Sequence, residues 1–459
     1  MGNETAVRAA STVSMDTIVS LCKRRGFVFP SSEIYGGYAS FWDYGPLGAE
    51  LKRNIKDAWW RDIVHKREEV VGLDASIIMH PDVWKSSGHL ENFTDPLVDC
   101  RNCKQRFRAD NLPGFEQAVE SGATDPLADL PCPNCGQRGK WTEPRAFNLM
   151  FKTFVGSVEE DAATTYLRPE TAQAMFVQFA NVLASSRRKL PFGIAQIGKA
   201  FRNEITPGNF IFRLRELEQM ELEYFVKPGE DDEWYEYWRA FTMDWFTGFG
   251  VPRESLRLRE HDRASLSHYS KGTTDLEYLF PFGWGELWGV AARTDFDLKA
   301  HATGSGKDLS YFDEETKTHI VPYVVEPALG VDRAFLVFLL SAYAEEPDKD
   351  GTRVVLRFHP RLAPVKAAVL PLSRKAPLTA QARELRDQLA ERYAVEYDET
   401  GSIGKRYRRH DEIGTPLCIT VDFQTLEDGA VTIRDRDTME QVRVSLGEVE
   451  ATLREKLGF

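Results

Sequence analysis

No apolar run in this chain of 459 residues approaches the roughly 20 residues that a membrane-spanning helix needs. A secretory signal pattern is missing too, so a cytoplasmic protein with no membrane partner is expected. Cysteine is scarce: six residues in a chain of this length do not make a disulfide scaffold. Positive charge is not in excess either. A net charge of −12 argues against non-specific coating of nucleic acid, yet leaves room for a local basic face. Internal repeats and low-complexity tracts are absent. What remains is a globular composition, 42% hydrophobic and 28% charged, on a chain too long for one ordinary core. Two or three domains are expected. Residues 1–14 are small and polar and read as a loose tail; Glu4 and a single arginine speak against a transit peptide.

Leu51, Ile55, Trp59 and Ile63 recur at every fourth position, with Lys52, Arg53, Lys56 and Asp57 between them. That spacing predicts a long amphipathic helix opened by the Gly45-Pro46 turn. The apolar stretch 70–79, closed by Pro81, reads as a strand. Residues from about 90 to 147 are rich in Pro, Gly, Asp and Asn and read as an insertion built of loops. Residues 192–197 and 220–226 read as an antiparallel hairpin around Pro207-Gly208. The second alternates like a half-buried strand. Residues 320–325 form a further strand that breaks at Pro327, followed by a helix over about 332–344. After Pro360, strands at 365–370, 418–423 and 430–433 alternate with a helix at 378–393. This suggests a separate α/β domain of about a hundred residues.

Three clusters carry chemistry. In an extended chain Arg202 and Glu204 share a face, so one grips a phosphate while the other reads a base amino group. A cross-strand salt bridge is the plainer alternative. Arg213, Arg215, Glu216, Glu218 and Glu221 follow on and beside a strand; a solvated face or the lining of a cleft fits this run. Arg333 falls in the first turn of a predicted helix, where the macrodipole favours an anion, so a polyphosphate between the two is a natural occupant. A fourth cluster is structural. Cys100 with Cys103 and Cys132 with Cys135 form two CxxC pairs, 28 residues apart, suited to one tetrahedral zinc, with free thiols as the alternative.

Together these segments resemble the class II aminoacyl-tRNA synthetases. Residues 201–204 (FRNE) look like that family's motif 2 and 330–333 (GVDR) like motif 3. The helix and strand between Gly45 and Pro81 look like motif 1, which forms the dimer interface there. The class I signatures HIGH and KMSKS are absent. Residues 87–93 (SGHLENF), 147–151 (FNLMF), 167–173 (LRPETAQ), 293–298 (RTDFDL) and 401–407 (GSIGKRY) resemble the dimeric glycyl-tRNA synthetases.

The resemblance implies an α+β fold: a class II antiparallel-sheet catalytic domain over 15–360 and an α/β anticodon-binding domain over 361–459, in a homodimer. It implies activation of glycine with ATP and Mg²⁺, then transfer to the 3′ end of tRNA-Gly. Arg202 and Arg333 would be the catalytic pair, on the α- and γ-phosphates. Asn203 and Glu204 would bind the adenine side and Phe212 would stack on the base. Arg213, Leu214, Arg215, Glu216, Leu217, Glu286, Leu287, Gly330, Val331 and Asp332 would complete the ATP site, with Glu286 beside Mg²⁺. Glycine would fall to Arg108, Glu170, Leu217, Glu218, Gln219, Met220, Glu221, Arg293, Glu326, Pro327, Ala328, Leu329 and Gly330. Of these, Glu170, Glu218 and Glu326 would surround the amine. The family usually has a serine at Ala328 and an aromatic at Leu217. Residues 405–410 (KRYRRH) would face tRNA by resemblance, though composition alone suggests a solvated face. Two rivals stay open: a class II synthetase for serine, threonine or proline, and a synthetase-like accessory protein lacking the ATP motifs.

Overall fold

The computed structural model describes residues 13–157, 163–205, 207–262, 270–348 and 351–458. Among these, seven strands build the central sheet: β1 (Val70–Gly72), β2 (Phe192–Phe201), β3 (Glu216–Val226), β4 (Leu256–Glu260), β5 (Gly272–Phe280), β6 (Gly283–Thr294) and β7 (Tyr323–Gly330). Their order is β4-β5-β6-β7-β3-β2-β1, antiparallel except for the β1–β2 pair.

Side-chain alternation decides what each face of this sheet meets. On β3, Met220, Leu222, Tyr224 and Val226 are buried in the main core. That core is shared with helices α1 (Met15–Arg25), α2 (Pro46–Trp60), α3 (Asp231–Gly248) and α4 (Val331–Ala342). On the opposite face Phe225 joins a second apolar cluster with Phe176, Phe179 and Leu298, while Leu217, Gln219 and Glu221 line a cleft. β3 is therefore buried on both faces from Gln219 to Val226 rather than half-buried. In α2, Leu51, Ile55 and Trp59 are buried, as their spacing predicts, and Ile63 is buried in the π-helical turn that follows.

The strand expected over 70–79 is only three residues long. The carbonyls of Ala75 and Ser76 accept from Arg168 instead of a neighbouring strand, and Pro81 opens a short helix, Pro81–Ser86. β7 does not stop at Pro327. It runs on to Gly330, and its ladder to β3 skips from Ala328 to Val325, as expected where proline has no N–H to give. The insertion is more than loops: Thr94–Asp99 pairs with Arg106–Arg108 and Arg145–Asn148 over a small core containing Val98, Leu112, Leu130 and Trp141. Most of the tail expected over 1–14 lies outside the described residues. Val13 is buried, and Ser14 caps α1 by accepting the Thr17 N–H at 3.2 Å.

A hairpin, Tyr343–Asp348 with Gly351–Leu356, leads to a five-stranded sheet with its own core. Its strands are β8 (Ala367–Pro371), β9 (Val395–Tyr397), β10 (Leu417–Val421), β11 (Ala430–Asp435) and β12 (Gln441–Ser445), in the order β9-β8-β10-β11-β12. Helices α5 (Ala376–Ala390), α6 (Ile403–Ile413) and α7 (Val449–Leu457) accompany it. Buried Asp411 of α6 takes Arg353 of the hairpin and Arg434 of β11, while Glu412 takes Arg24 and Arg25 of α1. No described helix is long and apolar enough to cross a membrane.

Candidate active site

Sheet register places the parts of the cleft. Across the sheet, Glu221 of β3 stands beside Ala328 of β7, Ala328 beside Gly289 of β6, and Gly289 beside Asp275 of β5. In the neighbouring row Glu326 stands beside Ala291, and Ala291 beside Thr273. Two rows of small residues thus form a floor with a carboxylate at one or both ends. The cleft above it has a volume of about 290 Å³ and is also lined by Arg202, Glu204, Phe212, Arg213 and Arg333.

The cationic end is built on backbone anchors. Arg333, in the first turn of α4, lies 4.5 Å over the Phe212 ring and donates to the carbonyls of Phe212 (3.2 Å) and Glu286 (3.0 Å). Its guanidinium pairs with the Glu286 carboxylate at 2.9 Å, and that charge, against burial, holds the Glu286 carboxyl below the usual range. Arg202 donates through Nε to the Pro169 carbonyl at 2.9 Å. Arg215 fixes Glu204 from behind, giving two hydrogen bonds to its carbonyl, at 3.2 and 3.0 Å.

The anionic end is buried. Glu221 accepts from the Thr171 N–H at 2.9 Å, the Thr171 hydroxyl and the Gln219 amide. Arg293 chelates Asp297 at 2.7 and 2.9 Å and reaches Glu326 at 2.5 Å. Burial raises the Glu170 carboxyl, but the charge of His89, its hydrogen bond, Arg293 and Gln173 outweigh it and hold the group well below the usual range. Burial and the neighbouring Glu221 and Glu170 charges push Glu326 up to about 8, against Arg293. Glu223, fully buried on the same strand face, is pushed well above its ordinary value by burial and then by Glu326. Carboxylates outnumber cations here, so the pocket suits a compact cation such as the amine of a small amino acid.

Relatives decide what this arrangement belongs to. The family described as "tRNA synthetase class II core domain (G, H, P, S and T)" matches residues 153–343, and "Anticodon binding domain" matches residues 366–456. The glycine–tRNA ligase of Thermobifida fusca is 56% identical over 458 residues, covering 98% of this chain and 99% of that protein. Those of Geobacillus thermodenitrificans and Streptomyces coelicolor are each 57% identical, over 97% and 96% of this chain and 98% of each relative. The chain belongs to the glycine–tRNA ligase family.

The structure brings together much of what the glycine–tRNA ligase resemblance implies: Glu170, Arg202, Glu204, Phe212, Arg213, Leu214, Leu217, Gln219, Glu221, Glu286, Leu287, Glu326, Ala328, Gly330, Asp332 and Arg333 all line the cleft. Others do not. Glu218 sits on the opposite face of β3 from Leu217 and Gln219, where it pairs with Lys52 (3.1 Å) and Lys56 (2.9 Å) of α2. There too Asp332, although it borders the cleft, spends its carboxylate on Lys52 at 2.8 Å, the Tyr44 hydroxyl and the Glu218 N–H, joining α2, β3 and α4. Arg108 lies in the insertion, paired with Asp95 (3.1 Å) and Asp110 (2.7 Å). Asn203 gives its N–H to the Leu149 carbonyl, and Glu216 pairs with Lys199. Met220, Leu329 and Val331 face the core, while Arg293 and Pro327 stand behind the lining. His261 and Asp275, 2.6 Å apart, line the cleft without having been singled out in sequence. Burial, then the Glu286 charge, pushes Asp275 up to about 6.

Much of the basic run at 405–410 is spent inside the second domain. Arg406 is buried on the Pro371 and Asp398 carbonyls, Arg408 pairs with Asp348 and Asp411, and Arg409 pairs with Asp398. Lys405 is exposed. The cysteines do converge. The four sulfurs lie within 4.8 Å of one another, with Cys100–Cys135 and Cys103–Cys132 at 3.7 Å. Zinc–sulfur bonds of about 2.3 Å in a tetrahedron require S···S edges of about 3.8 Å. Each pair closes the same turn. The first Cys N–H donates to the carbonyl of a Gln five residues on, and the fifth residue, Lys104 or Gly136, turns left-handed at φ 60° or 71°. Among the described residues this is the one group of three or more His, Cys, Asp or Glu side chains close enough for a metal ion.

Proposed function

We propose that this cleft activates glycine as its adenylate and passes it to the 3′ end of tRNA-Gly. The reading is carried by one juxtaposition: a buried carboxylate cluster on a floor of Ala328, Gly289 and Ala291, facing Arg202 and Arg333. Glu170, Glu221 and Glu326 take the amine, with Glu221 in the place that sequence reasoning gave to Glu218. The small pocket excludes side chains. A missing or extra methylene normally gives only about 1–3 kcal/mol, so a wall is the stronger filter, and no larger competitor requires editing.

ATP lies with its adenine between Glu204 and Phe212 and its phosphates between Arg202 and Arg333. The glycine carboxylate is itself the nucleophile. Its oxygen bonds to the α-phosphorus as the bond to pyrophosphate breaks, so no general base is needed. Positioning and charge stabilisation supply the rate. Glu286 offers the single carboxylate that Mg²⁺ commonly takes beside substrate phosphates, where the ion would neutralise phosphate charge. Residues 15–360 would form the catalytic body and 361–459 the tRNA-reading body of a cytoplasmic homodimer. Exposed Ile34, Tyr35 and Tyr38, on the loop preceding α2, would lie towards the partner.

The decisive test is ATP–pyrophosphate exchange with glycine, alanine, serine and proline in parallel. Exchange with glycine alone is expected. Equal exchange with alanine or serine would mean the small floor does not select. We also propose that Cys100, Cys103, Cys132 and Cys135 hold a structural zinc, which with four thiolates keeps no open position for catalysis. Metal analysis should find about one zinc per chain, lost in a Cys103→Ser/Cys135→Ser double variant. An unchanged metal content in that variant would sink the assignment.

A further inference from the structure

Glu170 is presented to the cleft by a residue that does not line it. His89 follows the Pro81–Ser86 helix, just before the insertion. Its Nε2 lies 3.3 Å from Glu170 Oε1, and the Gln173 amide reaches the same oxygen at 2.9 Å. With both partners on Oε1, the other oxygen falls to the ligand. His89 Nδ1 lies 2.8 Å from the Ser87 hydroxyl, which donates in turn to the Trp84 carbonyl. An ionised carboxylate only accepts, so Nε2 donates to Glu170, while the 2.8 Å contact from Ser87 to Nδ1 fixes the plane of the ring. Trp84 and Phe93 pack the ring, each with its centroid 5.5 Å away. The backbone is fixed as well: the Asn148 amide, at the far end of the insertion, donates to the carbonyls of His89 (3.1 Å) and Leu90 (3.0 Å).

We propose that His89 is a positioning residue for amino-acid recognition, holding Glu170 so that its free oxygen meets the amine while His89 itself never touches the ligand. The inference rests on Glu170 as an amine ligand. Its effect falls first on glycine: Arg202 meets the unit only at one remove, through the Phe93 ring that also packs His89, and is itself held by the Pro169 carbonyl.

Two amide variants separate the ring nitrogens. In His89→Asn the amide reaches Ser87 but not Glu170, whereas in His89→Gln it reaches Glu170. In pyrophosphate exchange, H89N should raise the glycine KM about tenfold or more, as expected for loss of a charge-assisted hydrogen bond. Its ATP KM should stay within about twofold, and H89Q should recover most of the loss. Thermal unfolding of each variant checks the fold. An unchanged glycine KM in H89N, a parallel rise in both KM values, or an H89Q variant no better than H89N would overturn the proposal. Wild-type protein that fails to exchange with glycine would instead bring down the function itself, so the wild-type trace distinguishes the two failures.

Discussion

Arg333→Ala should lower glycine-dependent pyrophosphate exchange by about a thousandfold, or about 4 kcal/mol of barrier, while the protein stays folded. The guanidinium is held by two backbone carbonyls, the Phe212 face and Glu286, so it is set in place before any nucleotide arrives. Charge that builds on the departing pyrophosphate then meets a cation that need not reorganise. The core below does not depend on it: Val331, Ala334 and Phe335 of α4 are buried independently of this side chain. Single-turnover adenylate formation, with circular dichroism as the control, measures the effect. Loss of less than about tenfold would remove Arg333 from the catalytic pair.

Arg293→Met should instead destabilise the fold, by about 3–5 kcal/mol, because it strands buried Asp297, and Glu326 once that group ionises, without a counter-charge. The penalty should depend on pH. Glu326 already titrates at about 8, above its ordinary value, so between the ordinary carboxylate range and pH 8 the folded chain binds more protons than the unfolded one. Stability from this group therefore falls as pH rises, and removing Arg293 steepens the fall. Urea unfolding at pH 6 and pH 9 tests both points. A loss of under about 1 kcal/mol, or one equal at the two pH values, would show that Arg293 is not the charge that holds this cluster together.

Much of the fold was legible because local patterns and tertiary demands agree. The α2 spacing, the β2–β3 hairpin and the alternating elements after Pro360 all carry their period in their own residues. The site was legible where a motif concentrates it, as in 201–204 and 330–333. Reasoning failed where the answer depends on which strand face meets which neighbour. Glu218 and Glu221 look alike in sequence, yet alternation sends one to Lys52 and the other to Thr171. The basic run at 405–410 looked solvated or tRNA-facing because its acceptors, Asp398 and Asp348, lie in other segments. The paired strands of the insertion were hidden by their shortness and polarity.

The clip that Asn148 makes on His89 and Leu90 has an evolutionary consequence. Thr94 and Asn148 are paired in register, so the insertion leaves and re-enters the domain at a single closed base. Changes of length far from that base, between residues 111 and 130, leave the clip itself intact, whereas the stretch around Arg108 is tied to the cleft, because Asp95 and Arg108 both feel the charge of Glu204.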